Sequence, residues 1–194
     1  MVNYNKIMKI TDWNVLIDSY DVQAITEAMP FKEAVILAYR MLYNKSWDEE
    51  IQNYAVELLY AIRKKHAKEW NACWKLDVLL GMACNITLRY DERYIAYKRA
   101  CDRLSTVPPS LMVLLANCYD SPGDPPISRI QAKKLLLEAL SIEKTVEAVE
   151  FIKYICDLEE KWDEVAYWNT ILIEVTEKNL HIDGLCPSFL VGVA

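Results

Sequence analysis

An aromatic residue followed by Asp-Glu occurs three times in this chain, at Trp47-Asp48-Glu49, Tyr90-Asp91-Glu92 and Trp162-Asp163-Glu164. The first two steps lie 43 residues apart and the last two 72, which leaves room for one further unit between them. Each step follows an apolar stretch and precedes one with helical spacing. Recurrence at roughly 35–45 residues marks stacked helix pairs, because one pair cannot bury its apolar face alone. Such an architecture points to a binding scaffold rather than an enzyme.

Composition argues in the same direction. With only 4 Gly and 7 Pro in 194 residues, a turn-rich all-β fold is disfavoured, and the Leu, Ala, Glu, Lys and Ile of the long stretches suit helices. No run of about 18 apolar residues is present, so no membrane span is expected. Met1 to Ile10 is mixed polar and lacks the apolar core of a secretory signal. The six cysteines, Cys73, Cys84, Cys101, Cys118, Cys156 and Cys186, form no Cys-x-x-Cys pair. They read as reduced, buried thiols of a cytoplasmic protein, with a disulfide or a zinc site as the alternatives. Neither His66 nor His181 has a cysteine at ligand spacing, and no metal or cofactor is expected. Charge is uneven: residues 1–100 carry 14 basic and 13 acidic side chains, and residues 101–194 carry 8 and 15. An acidic C-terminal half disfavours nucleic acid and suits a basic partner.

Along the chain, Thr11 or Asp12 is a candidate cap for one or two short helices carrying Val15, Leu16, Tyr20, Ile25 and Met29, and Pro30 sets a boundary. Phe31–Tyr43 reads as a helix. Ser46 with Glu49 makes a capping box for a partner helix from Trp47 to about Lys68, with Ile51, Tyr54, Ala55, Leu58, Leu59 and Ile62 on its apolar face. Further helices are expected over Glu69–Leu88, Asp91–Leu104, Leu111–Tyr119, Ser128–Leu140, Val146–Leu158 and Trp162–Val175. Asp120 to Pro126 is the strongest loop signal. The expectation is a single all-α domain over 1–194: an N-terminal helical segment to residue 30, helix pairs over 31–176, and a tail or cap from 177.

Aligned on the aromatic–Asp–Glu steps, the preceding helices carry Leu37-Ala38 and Leu80-Gly81, and the following helices carry Tyr54, Tyr97 and Ala100. A further unit matches by Leu115-Ala116, Tyr119, Ala132, Leu136 and Ala139. This pattern resembles tetratricopeptide (TPR) repeats, in which small residues let paired helices approach and an aromatic fills the groove between pairs. The Pro-Gly loop between the helices of the third unit is similar to the longer loops of Sel1-like repeats. The chain departs from the pattern at Glu50, Arg93 and Val165, where Ala is expected, and at Lys153. The resemblance implies an α-solenoid, a right-handed superhelix of about four antiparallel helix pairs.

It also implies a site. TPR-like arrays bind partners along a concave face formed by the first helix of each pair. Carried onto this chain, that face holds Lys32, Val35, Tyr39 and Tyr43, then Lys75, Val78, Met82 and Asn85. It continues with Val113, Asn117 and Asp120, and ends with Glu147, Glu150, Tyr154 and Asp157. Asn85 and Asn117 match a position used to grip a peptide's C-terminal carboxylate, but Val78 and Val113 replace the lysine such a clamp needs. The groove runs from Lys and Tyr to carboxylates and fits a protein or peptide partner with a basic segment.

No phosphate loop, Gly-x-Ser-x-Gly, His-Glu-x-x-His or EF-hand pattern occurs. The carboxylates at Asp48-Glu49-Glu50 and Glu159-Glu160 read as helix caps, and His66 as part of a solvated basic stretch with Arg63, Lys64, Lys65 and Lys68. Trp70 and Trp74 fall in the next helix, away from nucleic-acid stacking. The leading expectation is a non-enzymatic interaction module, in a narrower form an immunity-type inhibitor whose acidic face covers a toxin's active site. The alternatives are an enzyme or small-ligand receptor with a pocket between helices, and a self-assembling structural subunit.

Overall fold

The computed structural model describes residues 4–7, 9–44 and 48–182. Among them the chain is all-helical, without a strand. It is organised as two compact units, the first reaching to Ala96 and the second beginning at Tyr97.

The first unit opens with α1 (Tyr4–Ile7), α2 (Trp13–Ser19) and α3 (Val22–Ala28). Asp12 and Asp21 cap the last two, accepting from the amides of Asn14 and Ala24 at 3.0 and 2.7 Å. Pro30 precedes α4 (Phe31–Leu42) as its N-cap, where the missing amide costs nothing. Next comes α5 (Glu49–Lys65), capped by Asp48 through the amides of Glu50 and Ile51. The expected cap Ser46 lies outside the described residues, as does Trp47. Ile51, Ala55, Leu58, Leu59 and Ile62 are buried as their spacing predicts. So are Gln52 and Val56, which widens the apolar stripe beyond one side. The reason is α5's position, for it packs against α2, α3, α4, α6 (Ala67–Ala72) and α7 (Lys75–Ile86).

The sequence predicts one helix to Lys68 and another over 69–88, but the chain breaks at His66 and at Cys73. The second break has a packing cause. Trp70 and Asp77 are both fully buried, and the indole Nε1 donates to Asp77 Oδ1 at 2.8 Å. In a straight helix seven residues separate two side chains by about 10 Å along the axis. The extended backbone at Cys73 lets the two groups meet. The small residues expected between helices, Ala38, Gly81, Ala100 and Ala116, are all buried.

The unit boundary falls inside α8 (Tyr90–Asp102). The second unit then runs through α9 (Pro109–Ala116), the 3-10 turn η1 (Asn117–Asp120), α10 (Arg129–Ile142), α11 (Val146–Leu158) and α12 (Trp162–Glu177). The packing is serial: α9 against α10, α10 against α11, α11 against α12. A capping box joins Ser128 and Gln131 at the start of α10, and Thr145 caps α11. After α12 the chain turns back: the Val146 amide donates to the Leu180 carbonyl at 2.8 Å.

Three helices end without the glycine that usually permits the turn. Leu88, Glu160 and Asn179 each take positive φ one residue past the C-cap. In each case the next amide bonds five residues back, from Arg89 to Cys84, Lys161 to Cys156 and Leu180 to Val175. These are Schellman caps built on side-chain-bearing residues.

Candidate interaction surface

The residues that the repeat resemblance assigns to a binding face are divided between the two units. On α4, Lys32 and Tyr43 are exposed and Tyr39 is half-buried. The two tyrosine rings lie 4.7 Å apart. Desolvation, and then the neighbouring Tyr39 phenol, pushes Tyr43 up to about 12, so its hydroxyl stays protonated. On α7, Lys75 and Met82 are half-buried, and Asn85 is exposed with its Oδ1 accepting from Arg93 Nη1 at 2.5 Å. Val35, Val78 and Val113, placed on the same face by the sequence, are buried.

The second unit brings part of the predicted set together. Asn117 and Asp120 sit at the two ends of η1. Tyr154 on α11 donates its hydroxyl to Asp120 Oδ1 at 3.3 Å. Burial, then the Asp120 charge, raises the Tyr154 pKa. Glu150, Tyr154 and Asp157 are all exposed. Helical spacing puts Glu150 and Asp157 on one flank of Tyr154, and Phe151 and Leu158 on the other. The Phe151 and Tyr154 rings are stacked, 5.8 Å apart and 14° from parallel. Beside them Arg129 donates from Nε to the Tyr119 hydroxyl at 2.8 Å, with its guanidinium carbon 5.7 Å from the ring centroid.

Glu147, at the start of the same stripe, is engaged internally. Its carboxylate meets His181 Nδ1 at 2.9 Å and accepts from the Ile182 amide at 3.1 Å. It thus anchors the segment that follows α12, a role that its position in the sequence does not signal.

Sequence reasoning missed the ion cluster that ties three helices of the second unit. Lys133 on α10 reaches Glu159 at 2.8 Å and Glu164 on α12 at 3.1 Å, and Lys161 also reaches Glu159 at 2.8 Å. Hydrogen bonds from Lys133, then Lys161, hold Glu159 down at about 2. Desolvation opposes the charge on Lys133, but its bonds to Glu159 and Glu164 outweigh that and raise its pKa. The buried Cys156 thiol donates to Glu164 at 3.2 Å and is pushed up to about 11, chiefly by burial. Glu159 therefore works as a tertiary link rather than the helix-start cap expected of it, whereas Asp48 does cap its helix.

His66 also differs from the expected solvated residue. Its side chain is mostly covered, its ring lies 5.5 Å from Phe31, and its shielded Nε2 has no hydrogen-bond partner among the described residues. Of the neighbouring lysines, Lys65 donates to the Thr26 carbonyl at 2.6 Å, near the C-terminal end of α3, where a cation complements the helix dipole.

For small-ligand chemistry the first unit offers an open groove of about 400 Å³, lined by Thr11, Asp12, Trp13, Asn14, Asn44, Asp48 and Ile51. Its two carboxylates serve as helix caps. Among the described residues no group of His, Cys, Asp and Glu is arranged to hold a metal ion, and Cys73, Cys84, Cys101, Cys118 and Cys156 are free thiols. Cys186 lies outside the described residues. No described helix is long and apolar enough to cross a membrane. Compared with protein-family models, curated proteins and solved structures, the chain finds no match in any of the three.

Proposed function

We propose that this chain is a non-enzymatic protein-interaction module, a TPR-like helical array that holds a protein or peptide partner on the exposed face of its first-of-pair helices. The observation that carries the reading is the serial packing of α9 through α12, which leaves one α11 stripe, Glu150, Tyr154 and Asp157, exposed. Serial packing of helix pairs is how solenoids build extended binding faces. Free thiols support a reducing, cytoplasmic setting. In its narrower form the module is an immunity-type inhibitor, with the acidic stripe covering a basic toxin site. The test is recovery of partners by the immobilised intact protein, repeated with Glu150→Gln/Asp157→Asn. A stoichiometric protein lost on that substitution supports the reading. A protein that recovers no partner overturns it.

Self-assembly is a second reading, favoured by α12. That helix buries only Ile171 and Val175 and leaves Trp162, Tyr167 and Ile173 exposed by 63, 54 and 62%. A mass in solution that rises with concentration, and falls back with Trp162→Ser/Ile173→Ser, supports it. A constant monomer mass excludes it.

A further inference from the structure

A guanidinium group is flat and weakly hydrated on its faces, and it donates hydrogen bonds around its edge. A complementary surface therefore needs an aromatic face next to carboxylates. The α11 stripe supplies both within two turns. The stacked Phe151–Tyr154 pair presents a flat ring surface, with Tyr154 39% exposed. Glu150 and Asp157 border it, and neither carboxylate is met by a cation among the described residues. Asp120 closes one side through its bond to the Tyr154 hydroxyl. Nearby, Arg129 is held at the rim of Tyr119, its Nε donating to the phenol oxygen at 2.8 Å. From Tyr97 to Gly192 the chain carries ten Lys and Arg against fifteen Asp and Glu, so the wider field also attracts a cation.

We infer that the Tyr154 face is a seat for an arginine side chain of a protein partner, with the Phe151–Tyr154 rings taking the guanidinium plane and Glu150, Asp157 and Asp120 its edge. This rests on the interaction-module reading and names the chemistry of the partner. Lysine is the weaker guest, because an ammonium group meets the carboxylates but has no plane to stack.

The test uses the intact protein and short fluorescein-labelled Gly-Ser peptides carrying arginine, lysine or citrulline, read by anisotropy at physiological salt. Citrulline keeps the shape of arginine without its charge. The arginine peptide binds about threefold tighter than the lysine peptide, and the citrulline peptide does not bind. Tyr154→Leu removes the arginine preference, Tyr154→Phe retains it, and Glu150→Gln/Asp157→Asn weakens both cationic peptides. Circular dichroism of each variant checks that the helices remain. Equal binding of arginine and lysine peptides, or an equal loss from the control pair Glu138→Gln/Glu143→Gln, reduces the effect to non-specific attraction and overturns the inference. A natural partner whose binding ignores both the Tyr154 and the Glu150/Asp157 variants also overturns the arginine seat while leaving the module reading intact. A protein that recovers no partner removes the module reading itself.

Discussion

The two units solve the burial problem differently. In the first, α5 packs against five other helices and buries residues on more than one side, Gln52 and Val56 included. In the second, α9 to α12 pack in chain order, and the last helix buries only Ile171 and Val175 along its 16 residues. A hub helix spends nearly all its apolar surface internally. A serial stack leaves a face over at its end and a stripe on each helix turned away from its neighbours. Large exposed apolar side chains are accordingly more numerous among the described residues of the second unit, Trp162, Tyr167 and Ile173 among them.

Both units carry polar links across long sequence separations, among them Arg89 with Glu57 at 2.6 Å in the first and the Ile182 amide with Glu147 at 3.1 Å in the second. The first unit also uses side chains that reach the backbone, such as Tyr54 to the Tyr20 carbonyl at 2.6 Å and Lys65 to that of Thr26. The second also uses the half-exposed ion cluster of Lys133, Glu159, Lys161 and Glu164. Buried apolar cores lose more on truncation than partly solvated ion pairs, and this sets the order of the expected effects.

The largest is Trp70→Ala. It empties a fully buried site beside the hub and strips Asp77 of its indole partner, and should cost about 3–5 kcal/mol in urea unfolding. A loss under about 1 kcal/mol would mean the first unit does not depend on that packing. Next is Lys133→Met, which leaves Glu159 and Glu164 paired with Lys161, and Glu164 with the Cys156 thiol as well. A cost of about 1–2 kcal/mol is expected, between exposed and buried pairs. If it equals that of Trp70→Ala, the contrast between the units fails.

The same cluster predicts a pH dependence. The folded pKa of Glu159, about 2, lies below its ordinary 4.5. Its contribution is therefore complete above pH 4.5 and is lost as pH falls toward 2. Lys133→Met should flatten this acid limb in a stability–pH profile, whereas Leu59→Ala, which truncates a fully buried apolar side chain, should lower the whole curve without changing its shape. The smallest expected effect is a gain. Leu88 and Glu160 hold left-handed backbone at helix ends, which costs a side-chain-bearing residue about 1 kcal/mol or more. Leu88→Gly, one in each unit with Glu160→Gly, should each raise stability by up to about 1 kcal/mol, seen as a higher urea midpoint. A decrease would show that these turns are held by their side chains.

Helix-forming stretches were legible because apolar spacing is local. The cap at Asp12, the span of α11 and the Pro30 boundary follow from side-chain and ring chemistry that acts within a turn. The breaks at His66 and Cys73 were not legible: no Gly or Pro marks either, and the second accompanies the buried Trp70–Asp77 bond, which a straight helix would keep apart. The Gly-free Schellman caps were missed for a related reason: the expected turn residue is absent. Of the candidate surface, the repeat resemblance implied Glu150, Tyr154 and Asp157 together, and all three are exposed, but it did not imply the diversion of Glu147 to His181 and Ile182.

By itself, then, the sequence determined the all-helical class, the serial order of the helices and the acidic balance of the second half, all properties of near neighbours or of summed composition. Tertiary structure decided which helix became a hub, which carboxylates were tied to lysines and which stayed exposed. Those outcomes depend on side chains meeting across roughly 25–40 residues of chain, as Lys133 meets Glu159 and Tyr154 meets Asp120, and no local pattern encodes such a meeting.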